Sequence, residues 1–98
     1  MIIVGGVFTV APEDVDAFLA GRADSIRRSR AEKGNIEYTI AADPIVPGRL
    51  ILFEKWETRA DLDAHVAAMP SAPPPSGPAP VTRDIVVYEA TEAPPLGS

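Results

Sequence analysis

Ninety-eight residues with a net charge of −5 make one domain, because a second core does not fit that length. The chain has no cysteine and a single histidine, which excludes disulfides, thiolate metal sites, a thiol nucleophile and a multi-histidine metal site within one chain. Its nine basic residues are scattered, without the electrostatic footprint that nucleic-acid binding needs, and no apolar run approaches the roughly 20 residues of a membrane span. The apolar opening, residues 1–7, lacks the basic start of a signal peptide, so the expected compartment is the cytoplasm. A domain this small buries only about 60–65% of its unfolded surface, and oligomerisation is the remaining common route to stability.

Residues 2–10 are short, rich in β-branched side chains and bounded by Ala11-Pro12, which is the pattern of a strand. Pro12 suits the first turn of a helix, with Glu13 and Asp14 favourable at its positive end. Val15, Phe18, Leu19, Arg22 or Ala23, and Ile26 follow at helical spacing, and Gly34 supplies a stop. The helix is expected over residues 12–33, about 33 Å long. The basic run Arg27-Arg28-Ser29-Arg30 falls near its end, where cations complement the dipole. Residues 35–41 alternate, with Ile36, Tyr38 and Ile40 on one face and Glu37 and Thr39 on the other. Asp43-Pro44 and Pro47-Gly48 punctuate a loop, and residues 49–57 return as the second strand of a hairpin.

Thr58 has the outline of an N-cap, with Asp61 where a capping box prefers Glu or Gln. Leu62, His65 or Val66, and Met69 continue a short amphipathic helix, which Pro70 is expected to close. Residues 70–80 hold six prolines in eleven positions, a density that forbids a helix and favours extended chain. A last strand is expected over 81–90. The domain spans 1–91, and residues 92–98 are expected to be a disordered tail.

The order β-α-β-β-α-β is the split arrangement of ferredoxin-like α+β folds, here with a four-stranded antiparallel sheet. Two helices cover one face of such a sheet. Yet Ile2-Ile3-Val4, Leu50-Ile51-Leu52-Phe53 and Ile85-Val86-Val87-Tyr88 are apolar on both faces, where a sheet with one wet face should alternate. The same face of another copy can cover the second side, so a face-to-face homodimer is expected.

The run from Phe53 to His65, with Glu54 two residues before Trp56 and a helix bearing His65, resembles the strand-to-helix segment of the antibiotic-biosynthesis monooxygenase superfamily. Arg30-Ala31-Glu32-Lys33-Gly34-Asn35-Ile36-Glu37-Tyr38 is similar to that family's helix stop and second strand. The likeness runs over residues 1–69 and 81–90 and breaks between Pro70 and Pro80, where relatives carry another helix. It implies a dimeric α+β barrel with a pocket between sheet and helices, in which the proline-rich segment is a loop over the pocket mouth. The haem-degrading branch fits poorly, because its strand-one asparagine falls at about Gly6.

By the period of two, Leu52, Glu54 and Trp56 share one strand face, which the resemblance turns toward the helices. Burial there raises the pKa of Glu54 and suits it to hold a proton; an exposed carboxylate, or one paired with Arg22 or Arg83, is the alternative. Trp56, with Leu52 and Leu62, offers an apolar wall for an aromatic substrate, or simply core. Tyr38 is a further candidate of that kind. Arg22 stands near the apolar stripe of the first helix, to bind an anionic substituent or to snorkel. His65 is the one ready proton carrier, or else a structural or solvent-facing histidine.

The resemblance implies a monooxygenase that needs no cofactor and acts with dioxygen on a phenolic, quinol or polyketide-type aromatic substrate. His65 would be the base and Glu54 its partner. An isomerase or cyclase using the same pair, and a non-catalytic dimeric binding protein, are the competing expectations.

Overall fold

The computed structural model describes residues 1–97; Ser98, the last residue of the expected tail, lies outside the described residues. Four strands, β1 (Ile2–Thr9), β2 (Asn35–Ala42), β3 (Arg49–Trp56) and β4 (Thr82–Glu89), alternate with two helices, α1 (Val15–Arg30) and α2 (Arg59–Ala68), in the expected β-α-β-β-α-β order. The sheet runs β2-β3-β1-β4, and its three pairings are antiparallel. Both helices lie on one face, giving the ferredoxin-like α+β arrangement.

The boundaries differ from expectation in two informative places. Pro12–Asp14 forms a separate 3-10 turn before α1, since the missing amide of proline is harmless only in a first turn. Pro70 does not close the second helix; a 3-10 turn, Met69–Ser71, runs across it. Proline there again sits in a first turn and breaks no hydrogen bond. From residue 72 to 81 the chain is irregular, as proline density requires.

On the helix side of the sheet, Ile2, Val4 and Phe8 of β1 and Leu50, Leu52 and Trp56 of β3 are buried with Phe18 of α1 and Leu62 of α2. Trp56, Phe18 and Leu50 are fully enclosed. The opposite sheet face is apolar and open: Ile51 and Phe53 of β3 and Val86 and Tyr88 of β4 are 36–54% exposed. The alternation on β2 is broken by an irregularity between Asn35 and Glu37, and Ile36 is exposed, while Tyr38 and Ile40 pack on the core.

Candidate functional site

A cavity of about 510 Å³ lies between the helix face of the sheet and both helices, within the usual size of a small-molecule site. Its sheet side is Phe8, Tyr38, Ile40 and Arg83; α2 contributes His65. The wall from α1 and the turn that follows it changes character along its length. Phe18, Arg22, Ser25, Ser29 and Glu32 follow one another at three- and four-residue steps and all line the cavity. The inward stripe is apolar at its start and polar beyond Phe18.

His65 and Glu32 meet in this cavity. His65 Nδ1 lies 2.5 Å from Glu32 Oε1, with the histidine side chain 9% exposed. Nδ1–H donating to the carboxylate fixes the ring orientation and leaves Nε2 as the proton-accepting nitrogen. Nε2 has no hydrogen bond to the described residues, and no buried side-chain nitrogen or oxygen lacks a partner among them. Nε2 is therefore not buried, on a side chain that lines the cavity.

The contact is made by the turn after α1. Gly34 has φ +80°, and a Cβ there would stand 2.1 Å from Asp61 Oδ2. Its carbonyl accepts from Glu57 N at 2.8 Å. A residue with no side chain thus lets the end of α1 dock on the start of α2, where Thr58 accepts from Asp61 N as N-cap. With α2 anchored there, His65 falls one turn further along, opposite Glu32. Thr58 stands where the sequence places it. Glu32 is the residue that sequence reasoning missed, and its signal was the polar spacing from Arg22 through Ser29.

Glu54 lies beneath this pair. It is 6% exposed and accepts from Trp56 Nε1 at 3.0 Å; its hydrogen bond is thus to neither His65 nor the arginines. Burial raises its pKa, against the Trp56 hydrogen bond and the nearby His65, which both lower it. The Trp56 ring is 4.9 Å from the His65 ring, and Tyr38 is 5.6 Å away on another side. Burial, then the Glu54 charge, push the Tyr38 phenol up to about 12, so it stays protonated at neutral pH and can donate to a ligand oxygen. Tyr38, His65 and Glu54 are thus brought together. Trp56, Leu52 and Leu62 are buried as a layer under the site and do not line the cavity. The apolar wall comes from Phe8 and Ile40, with the enclosed Phe18 packed behind them.

The proline-rich segment crosses the cavity, with Ala72, Pro73, Pro74 and Pro75 among the lining residues. Two glycines tie it to α1. A Cβ on Gly21 would stand 1.9 Å from Ser76 O, and one on Gly77 would stand 2.8 Å from Ala17 O. Arg22 adds a hydrogen bond to Ser76 O at 3.2 Å. No group of three potential metal-ligating side chains occurs among the described residues, and no helix among them is long and apolar enough to cross a membrane.

The sequence model of the antibiotic biosynthesis monooxygenase family matches residues 1–70. An uncharacterized Synechocystis protein, sll1783, is 36% identical over 64 residues, 65% of this chain and 44% of its own length. The match therefore spans less than half of that relative. In Bacillus subtilis, "Putative monooxygenase YcnE" is 29% identical over 65 residues, 66% of this chain and 68% of its own. The crystal structure of a "putative antibiotic biosynthesis monooxygenase" from Deinococcus radiodurans aligns with a TM-score of 0.78 at 19% identity, both chains covered in full. At that identity the likeness is one of fold. The family match ends where the strap over the cavity begins.

Proposed function

The chain belongs to the antibiotic biosynthesis monooxygenase family, and from that premise we propose that it oxidises a phenolic, quinol or polyketide-type aromatic with dioxygen and without a cofactor. The observation that carries this reading is the Glu32–His65 pair, with Nε2 unburied, at an aromatic-walled cavity. A substrate ring seated against Phe8 and Ile40 would present its hydroxyl to Nε2. His65 would take the phenolic proton, and Glu32 would stabilise the imidazolium that results. The electron-rich anion then reduces dioxygen itself. One oxygen atom becomes a ring carbonyl in place of a C–H, the other leaves as water, and the substrate supplies every electron. The protein's tasks are proton removal, orientation and shelter from water. Tyr38, protonated across the physiological range, is placed to donate to a substrate oxygen, and Glu54 with Trp56 supports the histidine from below.

The active unit in this reading is a homodimer, its second sheet face covered by a second copy. The test of the activity is dioxygen uptake with a panel of hydroquinones and naphthols. One dioxygen consumed per quinone formed, unaffected by a chelator or by added flavin, is the expected result. Turnover without oxygen uptake would assign the same pair to isomerisation, and binding without turnover would leave a carrier.

A further inference from the structure

The cavity carries more positive charge than a proton-transfer site requires. Arg22, Arg28 and Arg83 all line it, against one carboxylate among its lining residues, Glu32, which is committed to His65. Arg22 reaches the cavity from α1 and Arg83 from the edge strand β4. Each guanidinium lies over an aromatic face, Arg22 4.1 Å from the Phe18 centroid and Arg83 5.9 Å from that of Phe8. Those two rings are themselves 5.8 Å apart and tilted by 50°, so the two cations sit over neighbouring rings. Neither has a carboxylate partner among the described residues. The arginines in ion pairs are Arg27, Arg30, Arg49 and Arg59. Burial lowers the pKa of Arg22, and the charge of Arg83 lowers it further. Two like charges without a counter-ion, in a chain whose net charge is −5, are an arrangement that an anion would stabilise.

Resting on the aromatic-substrate reading above, we propose that the ligand bears an oxyanion, a carboxylate or a phosphate, held between Arg22 and Arg83 while its ring lies against Phe8 and Ile40. The guanidinium pair then fixes which end of the molecule faces His65. An uncharged hydroquinone would fill the same volume and leave both arginines unneutralised.

Calorimetric titration in anaerobic buffer separates this recognition from turnover. The probes are naphthol, hydroxynaphthoate, naphthyl phosphate and the uncharged hydroxynaphthamide. At least one anion should bind about tenfold or more tighter than the neutral probes, the worth of a charged hydrogen bond, with an advantage that shrinks as salt rises. The tighter of the two anions identifies the source as an aromatic acid or a phosphate ester. Arg83→Gln, at an exposed edge position, should abolish the preference by lowering the affinity for the anions more than that for naphthol; Arg22 is the poorer target because it also holds the strap. Equal affinity for charged and neutral probes, a preference that survives Arg83→Gln, or no binding by any probe overturns the proposal. Anion preference in a protein that consumes no dioxygen would sink the oxygenase reading alone, and dioxygen uptake with indifferent affinities would sink this one alone.

Discussion

At the scale of single residues, the site rests on two carboxylates with different duties. Glu32 is half-buried and bonded to His65, whereas Glu54 is enclosed, bonded to an indole and pushed upward in pKa. A carboxyl with a raised folded-state pKa keeps its proton longer in the folded chain than in the unfolded one. Its contribution to stability is complete below the ordinary value of 4.5 and is lost as pH rises through the raised value. Glu54→Gln removes that loss and retains an amide oxygen for Trp56 Nε1. The variant should therefore gain on the parent as pH climbs out of the ordinary carboxylate range, by at most about 1.4 kcal/mol per pH unit, and then level off. Urea midpoints measured across that range check this. A variant that loses ground as pH rises would show that the Glu54 charge is stabilising.

At the scale of elements, two glycines decide how the site is assembled. Gly34→Ala would force a left-handed backbone on a side chain, about 1–2 kcal/mol, and drive its Cβ into Asp61. We expect lower thermal stability together with reduced turnover, because the same shift moves Glu32 away from His65. Loss of stability with full turnover per folded molecule would uncouple the turn from the site. Gly21→Ala should differ. Alanine favours a helix interior by up to about 1 kcal/mol, but here its Cβ meets the Ser76 carbonyl, so the strap must lift. Amide exchange over residues 72–80 should quicken while the melting temperature changes little; an unchanged exchange pattern would contradict the tie. The elements themselves were legible in the sequence, since periods of two and 3.6 mark which residues share a face. The partner of His65 was not, because Glu32 is 33 positions away and the contact depends on a glycine turn docking on a helix cap. For Trp56 the sequence left wall and core both open, for a related reason. Strand alternation gives the face but not the depth, and a residue on the correct face can be the floor beneath a site rather than its wall.

At the scale of the whole molecule, the open sheet face is the dominant feature. Ile51, Phe53, Val86 and Tyr88 form an apolar surface of the kind that marks an interaction site, in a domain too small to be generously stable alone. Light scattering at micromolar concentration should report about twice 10.4 kDa. Phe53→Asp, which puts a charge in the middle of that face, should yield a monomer of lower stability. A parent protein that is monomeric and stable would mean that this face needs no cover.

The pair at the centre of the proposed chemistry is tested most directly by a double-mutant cycle on dioxygen uptake. His65→Ala should lower turnover by about 10²–10⁴-fold, the usual worth of a positioned proton transfer, with the fold intact by circular dichroism. Glu32→Gln should lower it less, because the ring keeps a hydrogen-bond partner but loses the charge that stabilises imidazolium. The double variant should be no slower than His65→Ala, since groups acting as one unit share a single contribution. Losses that multiply would show that Glu32 acts independently of His65, and full turnover in folded His65→Ala would remove the histidine from the chemistry.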